Sequence, residues 1–269
     1  MRLEVIPLQI QGLIEKGERL DRSIIDALAS SEEALRDGDI VVIGQKVISK
    51  SEGRVVNLSN VIPSPTAKRI AKTQNKDPRV VELILQESRE ILALTRDLII
   101  SETQHGWVCA NAGVDLSNTR KDTAVLLPLN PDRSASLLRQ ALCSVSGAEI
   151  AVIISDTFGR PFRNGQANVA IGASGIMAIK SYIGTEDMYG NKLRVTEIAI
   201  ADELAGAAEL VMGKTDSVPV AIIRGYDFKA RPESGAKILI RKRESDIFRR
   251  KVRTRSAYMR QAPLGEGLL

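Results

Sequence analysis

Residues 151–166 read Ala151-Val-Ile-Ile-Ser-Asp-Thr-Phe-Gly-Arg-Pro-Phe-Arg-Asn-Gly-Gln166, and this stretch guides the interpretation of the rest of the chain. Its first four residues are apolar, and a carboxylate, hydroxyls, glycine and two arginines follow at once. An apolar run bounded by turn-forming residues is typical of a buried strand. We therefore predict a strand at 151–154 that ends in a polar loop, which is where ligands commonly bind in α/β layers.

The predicted loop carries two kinds of chemistry. Asp156 and Thr157 supply oxygen atoms that suit a hard cation, whereas Arg160 and Arg163 suit a carboxylate or a phosphate. The alternative is a polar turn in which Asp156 caps the backbone and both arginines are solvated. Asp156, Arg160 and Arg163 are our candidate catalytic residues.

Composition limits the class of protein. The 269 residues allow one large domain or two modest ones, and 43% hydrophobic residues are enough for a core. Aromatic residues make up only 3%, which argues against stacking platforms for single-stranded nucleic acid. No signal-peptide pattern or membrane-spanning apolar run is present, so we expect a cytoplasmic protein without a membrane partner.

The net charge of +5 is concentrated near the carboxyl end. Such a basic tail could contact nucleic acid, but no nucleic-acid motif accompanies it, so we favour a solvated face or a subunit contact. We divide the chain into a catalytic region, 1–228, and a basic extension, 229–269, that packs on the core or on a partner subunit. The basic residues are Lys237, Arg241, Lys242, Arg243, Arg249, Arg250, Lys251, Arg253, Arg255 and Arg260.

Periodicity predicts a mixture of helices and strands. Cys109 and Cys143 lack metal-type spacing and are expected to be free thiols, and His105 is expected in a turn. Helices are predicted at 20–28, 66–72, 134–144, 197–211 and from Pro78 through Ile91 and Leu92. Strands are predicted at 3–6 (stopped by Pro7), 40–43, 98–100, 107–110 and 218–223.

A second acidic loop follows the strand at 107–110 and contains Asp115 and Asn118. Two carboxylates from separate strand ends can share Mg²⁺ or Mn²⁺. The cations expected around them are Lys46, Lys50, Arg160, Arg163 and Lys214. Metal ions and cations around phosphate oxygens are typical of phosphoryl transfer, so the residues indicate a metal-dependent nucleotide or phosphate enzyme.

Gly213-Lys214-Thr215 resembles the end of a P-loop but is not one. The motif requires a glycine at position 208, which is Ala208, and a following helix. Gly213 is better explained as the glycine that ends a helix.

Six segments of the chain resemble the coenzyme F420-0:L-glutamate ligase family, in family order and over most of the chain up to Phe228. The chain is similar to bacterial-type, single-domain members. The segments are Asp37-Gly-Asp-Ile-Val-Val, Val47-Ile-Ser-Lys-Ser-Glu-Gly-Arg54, His105-Gly-Trp-Val-Cys-Ala-Asn-Ala-Gly-Val-Asp-Leu-Ser-Asn118, Ser155-Asp-Thr-Phe-Gly-Arg-Pro-Phe-Arg-Asn-Gly-Gln166, Asp187-Met-Tyr-Gly-Asn191 and Val195-Thr-Glu-Ile-Ala-Ile-Ala-Asp-Glu-Leu-Ala205.

The resemblance implies a GTP-dependent ligase that adds L-glutamate to F420-0 through an acyl phosphate. It implies an α+β fold of mixed sheets with packed helices, in which intertwined subdomains form a homodimer. The implied cofactors are GTP as co-substrate and Mn²⁺ or Mg²⁺, with K⁺ as a further candidate. A related ligase with another carboxylate acceptor and a non-catalytic nucleotide-binding protein remain alternatives.

The resemblance also assigns residues. The implied metal ligands are Asp115, Asp156 and Thr157. Archaeal members resemble one another in placing an acidic or amide ligand for a second metal where this chain has Lys214, and an ammonium cannot ligate a cation. The implied nucleotide-binding residues are Gln9, Ile10, Gln11, Gly12, Gln45, Lys46, Lys50, Asn118, Met212, Gly213, Lys214 and Thr215.

Overall fold

The computed structural model describes residues 2–95, 98–228, 230–231 and 234–246. The α-helices are α1 (Leu20–Ser30), α2 (Gln45–Ser51), α3 (Pro65–Gln74), α4 (Pro78–Glu87), α5 (Pro131–Ser146) and α6 (Ile200–Met212). The strands are β1 (Glu4–Leu8), β2 (Ile40–Gly44), β3 (Val55–Asn57), β4 (Ser88–Leu94), β5 (Ile99–Thr103), β6 (Val108–Ala110), β7 (Thr123–Val125), β8 (Ala151–Arg160), β9 (Arg163–Ile176), β10 (Lys180–Ser181), β11 (Glu197–Ile198), β12 (Val220–Arg224) and β13 (Ala230–Arg231).

The main sheet is mixed and runs in the order β1-β12-β2-β8-β9-β13. Strands β2 and β8 are parallel, while β1, β12, β9 and β13 make antiparallel pairs. Ile40–Ile43 and Ala151–Ile154 are completely buried, as expected for apolar strands covered on both faces. This arrangement confirms the predicted mixture of sheets and packed helices.

The apolar residues form two separate clusters. The larger one surrounds the main sheet, α1, α5 and α6. The smaller one joins α3 and α4 to the strands near Ile99 and Ala124. Within the described part of the chain, every helix is too short or too polar to span a lipid bilayer.

Two predicted strand ends were wrong. Pro7 lies inside β1 instead of ending it, because β1 is at the edge of the sheet, where a residue without an N–H is tolerated. The predicted break after Ile154 is absent, since β8 continues to Arg160 and pairs with β9 as a long hairpin. Residues 155–160 therefore form a strand, and their polar side chains belong to its partly exposed end.

The helix predicted from Pro78 ends earlier than expected. α4 stops at Glu87, and Ile91 lies in β4, which pairs with β5. The helical spacing of Ile91 and Leu92 was coincidental, because one apolar pair is too short to distinguish the period of a helix from that of a strand. Gly213 ends α6 with a φ of 59°, as predicted for a helix-terminal glycine.

The basic extension is described only in part. Residues 236–239 form a 3₁₀ turn, and Ala236 is buried in the larger core cluster. Its backbone N–H and that of Ala173 both donate to the Asp132 carboxylate. Lys229 and residues 247–269, with most of the predicted basic tail, lie outside the described residues, and the boundary at 228 stays a prediction.

Candidate active site

Four segments of the chain meet at one end of the strands of the main sheet. Gly44 at the end of β2 is paired with Ser155 of the parallel strand β8. The Gly44 N–H donates a hydrogen bond to the Pro219 carbonyl at 3.0 Å. Leu8, the last residue of β1, is paired with Val220, the first residue of β12, so the segment that follows β1 starts at the same end of the sheet. This topology brings residues 9–12, 45–50, 156–157 and 213–219 to one side of the molecule.

Asp115 is held at this edge by a lysine and by its own loop. Lys46 Nζ lies 2.7 Å from Asp115 Oδ2 and 2.6 Å from Ser117 Oγ. The Ser117 N–H donates to Asp115 Oδ1 at 2.7 Å. Burial opposes the ionisation of Asp115, but the bonds from Lys46 and Ser117 outweigh it and keep its pKa below the usual value. Asp115 is therefore an anion in a positive environment.

Asp156 behaves differently. Burial raises its pKa to about 7; the Thr157 backbone N–H opposes the increase and the negative charge of Asp115 adds to it. A buried carboxylate whose pKa is raised beside a second, ionised carboxylate is typical of a functional centre. A cation placed between them would favour ionisation of both.

A second lysine closes the loop that carries Asp115. Lys50 Nζ donates to the Asn118 carbonyl at 2.7 Å. Burial and the nearby Lys46 charge lower the pKa of Lys50. Asn118 has a φ of 52°, a left-handed conformation that asparagine tolerates better than most residues. Its Nδ2 donates to the Lys214 carbonyl at 3.3 Å, which joins this loop to the one after α6.

Besides Thr157, Lys214 contacts two residues that the sequence did not single out, Glu209 and Asn168. Its Nζ lies 2.6 Å from Glu209 Oε1 and 2.8 Å from Thr157 Oγ1. Asn168 accepts from the Thr157 hydroxyl at 2.7 Å and donates to Glu209 Oε2 at 2.7 Å. Asn168 and Glu209 were missed because one lies in a strand and the other on a helix, with no motif around either. The register of the β8–β9 pairing, which the local sequence did not reveal, places Asn168 opposite Thr157.

The predicted metal ligands fit a divalent cation in chemistry. Asp115, Asp156 and Thr157 offer carboxylate and hydroxyl oxygens, which Mg²⁺ and Mn²⁺ prefer. Among the residues that the structure describes, no three His, Cys, Asp or Glu side chains cluster as a closed metal site. Mg²⁺ is usually held by one or two carboxylates together with substrate phosphates, so an open pair is the expected arrangement.

The other predicted nucleotide-binding residues fall into two groups. Ile10, Gln45 and Met212 are buried, and Gln45 accepts a hydrogen bond from the Ser49 hydroxyl at 2.8 Å, so these three side chains support the loops. The exposed ones, which can face a ligand, are Gln9, Gln11, Gly12, Gly213 and Thr215.

Arg160 and Arg163 are not brought to Asp156 within this chain. They pair with each other at the tip of the β8–β9 hairpin, where Arg160 donates to the carbonyls of Asn164 and Gly165. Four residues of extended strand place Arg160 roughly 13 Å along from Asp156. A catalytic role for either arginine stays a prediction.

Cys109 and Cys143 are both free thiols, as predicted. Burial, with a contribution from Asp156, raises the pKa of Cys109 to about 12. His105 lies in a turn, as predicted, and its Nε2 is 3.1 Å from the Leu129 carbonyl oxygen. None of these groups provides a nucleophile at the site.

Residues 10–225 match the family model described as F420-0:Gamma-glutamyl ligase. The chain belongs to this family. It is 47% identical over 251 residues to the coenzyme F420:L-glutamate ligase of Methanothermobacter thermautotrophicus, covering 93% of this chain and 100% of the relative. It is 45% identical to that of Methanocaldococcus jannaschii (92% of this chain, 97% of the relative) and 44% identical to that of Methanopyrus kandleri (93% and 98%). The resemblance seen in the six sequence segments is thus confirmed.

Proposed function

We propose that this protein is a GTP-dependent ligase that adds L-glutamate to coenzyme F420-0. The observation that carries the proposal is the meeting of Asp115 and Asp156 with Lys46 and Lys50 at one sheet edge. The names of the relatives supply the acceptor and the amino acid. The site supplies the charges that a nucleoside triphosphate and a phosphoryl transfer require.

The reaction has two steps. A carboxylate oxygen of F420-0 attacks the γ-phosphorus of GTP, the bond between that phosphorus and the β,γ-bridging oxygen breaks, and GDP leaves. The amino group of L-glutamate then attacks the acyl carbon and loses a proton to solvent. The bond from that carbon to the phosphate oxygen breaks, and inorganic phosphate leaves with its electron pair.

The residues of the site have distinct tasks in this proposal. Asp115, Asp156 and Thr157 would hold Mg²⁺ or Mn²⁺, which supplies charge neutralisation for the phosphate oxygens when bound. Lys46 orients Asp115, and Lys50 fixes the loop that presents Asn118 to the nucleotide. Most of the catalysis would come from positioning and charge, because phosphoryl transfer needs little covalent chemistry from the protein.

The homodimer and the family-like intertwined fold belong to the same proposal. An arm between β10 and β11 exposes Ile183, Met188, Tyr189 and Val195, with Met188 97% accessible. The tip of the β8–β9 hairpin exposes Phe162 beside the two arginines. Exposed apolar side chains on projecting segments are typical of surfaces covered by a partner, here a second copy. A cytoplasmic location accompanies this function.

Asp156→Asn is the decisive substitution. It keeps the shape of the side chain but removes a carboxylate from the acidic pair, so GTP turnover in the presence of F420-0 and glutamate should fall by at least about 100-fold. The assay measures the mass increase of one glutamyl unit on F420-0, dependent on GTP and Mn²⁺. The matched control is Asp26→Asn, an exposed aspartate of α1, which should keep normal turnover.

Two outcomes would contradict the proposal. Folded, metal-loaded protein that adds no glutamyl unit to F420-0 would rule out this acceptor. Undiminished turnover by Asp156→Asn would rule out the assigned site.

A further inference from the structure

Lys214 lies among three side-chain oxygens instead of facing a single carboxylate. Its Nζ is 2.6 Å from Glu209 Oε1, 2.8 Å from Thr157 Oγ1 and 3.4 Å from Asn168 Oδ1. An ammonium has three N–H donors and no acceptor. All three donors therefore have a protein oxygen within reach.

The oxygens are held in place by contacts that do not involve the lysine. Thr157 and Asn168 are directly opposite in the β8–β9 pairing, so both side chains lie on one face of the sheet. The Thr157 hydroxyl donates to Asn168 Oδ1, and Asn168 Nδ2 donates to Glu209 Oε2, each at 2.7 Å. Asn168 is only 5% exposed, which restricts its movement. This cradle, formed by Glu209, Thr157 and Asn168, is preorganised.

The chain turns back to reach the cradle. α6 ends at Met212, and Gly213 adopts a φ of 59° and a ψ of −165°. This conformation favours glycine and directs Lys214 back toward Glu209 on the last turn of the helix. The cradle has one carboxylate and two neutral oxygens, and its single negative charge matches one ammonium.

We propose that the Lys214 ammonium is a built-in monovalent cation in a cation subsite formed by Glu209, Thr157 and Asn168. A free cation of similar size and charge binds there once the lysine side chain is removed. The subsite adjoins the proposed metal centre, because Thr157 belongs to both. A hydroxyl has one proton and two lone pairs, so Thr157 can donate to Asn168, accept from Lys214 and still offer an oxygen lone pair to a metal ion.

This inference rests on the proposed function only for its catalytic consequence. Lys214 acts through Thr157 and is therefore a positioning residue. The sequence had instead suggested that Lys214 contacts a phosphate directly. A simple Lys–Glu surface pair would contact the carboxylate alone, and its removal would create no selectivity among monovalent ions.

The test is the thermal stability of Lys214→Ala in the absence of nucleotide and divalent ions. Melting temperatures are measured in ammonium, potassium and choline chloride at equal ionic strength. At an ion concentration about tenfold above the dissociation constant, ammonium or potassium should raise the melting temperature of the variant by about 3–6 °C relative to choline. The wild-type protein should show a smaller difference among the three salts, because its lysine already occupies the subsite. A variant with no more salt selectivity than wild type would overturn the proposal.

Further variants locate the effect. Lys214→Ala combined with Glu209→Gln removes the only carboxylate of the cradle and should lose the ammonium-dependent shift; a shift that persists would place the cation elsewhere and overturn the proposal. Lys72→Ala removes an exposed lysine of α3 and should show no ion selectivity. Lys214→Ser replaces the alanine variant if that one does not fold, with the same expected shift.

Activity gives a separate measurement. Glutamyl transfer by Lys214→Ala should be at least about tenfold faster in ammonium than in choline chloride, and the corresponding ratio for the wild-type protein should be smaller. If wild-type protein transfers no glutamate, the proposed function fails, and the melting temperatures still decide the cation subsite on their own.

Discussion

At the scale of single residues, the site combines groups with opposite tendencies to ionise. Asp115 is favoured as an anion by Lys46, whereas burial raises the pKa of Asp156 to about 7. The difference arises from their contacts, since both are aspartates that follow apolar strands. Residue type predicted the chemistry of the pair, but the environment set the balance of charge between the two.

The ionisation of the Cys109 thiol tests whether this side chain is buried beside Asp156. Its pKa of about 12 in the folded protein is above that of an unfolded cysteine, about 8.5. The neutral thiol therefore stabilises the folded state below about pH 8.5, and this contribution is lost as the pH rises toward 12.

The measurement is alkylation of Cys143→Ser protein at pH 8. Because the thiolate is the reactive form, Cys109 should react roughly a thousandfold more slowly in the folded protein than in urea. Cys143, which is partly exposed, should be modified first in the wild-type protein. Equal rates for the two cysteines in folded protein would contradict the burial of Cys109.

At the scale of elements, the β8–β9 hairpin is the central component. It carries Asp156, Thr157 and Asn168, and it packs against α5 and α6. β9 approaches the start of α5 so closely that glycine is required at the crossing. A Cβ on Gly172 would lie 2.5 Å from the backbone carbonyl atoms of Pro131.

Gly172→Ala should therefore lower the free energy of unfolding by about 1–3 kcal/mol, because backbone cannot move as easily as a side-chain tip. Urea denaturation measures the change. Gly159→Ala is the matched control on the same hairpin: its added Cβ would meet no atom within 4 Å, and stability should change by less than about 0.5 kcal/mol. Equal effects of the two substitutions would show that the contact with Pro131 is unimportant.

At the scale of the whole molecule, polar contacts join the two apolar clusters. Arg54 binds Glu87 at 2.7 Å and the Leu127 carbonyl at 2.9 Å. Residues 234–246 cross from the larger cluster to the β4–β5 strands, where Arg243 pairs with Glu90 at 2.7 Å and with Glu102. Glu102 is only 3% exposed, so Arg243 supplies part of the charge that a buried carboxylate requires.

Arg243→Ala should loosen residues 234–246, because Glu102 keeps Arg89 as a cationic partner but loses Arg243. Hydrogen exchange should increase in this segment and in β4. Arg241→Ala changes an exposed arginine of the same segment and is the control, with exchange as in wild type. Unchanged exchange after Arg243→Ala would show that the segment is held by its apolar contacts alone.

The sequence by itself determined most of the element types and the family, and it predicted the chemical nature of the site. Apolar β-branched runs such as Ile40–Ile43 favour buried strands, and long unusual segments such as 155–166 identify a family. Asp115 and Asp156 were likewise visible as candidate ligands, because a carboxylate that follows an apolar run suits a hard cation. These are local properties, which depend on neighbours along the chain.

Only the tertiary structure decided which groups meet. Lys46 reaches Asp115 across 69 positions, and Lys214 reaches Thr157 across 57, because parallel and antiparallel pairing bring their loops to one sheet edge. The same pairing keeps Arg160 and Arg163 at the hairpin tip, away from Asp156, and introduces Asn168 and Glu209 beside Lys214. Strand order and register set these distances, and neither is encoded in the local pattern of residues that predicts a strand.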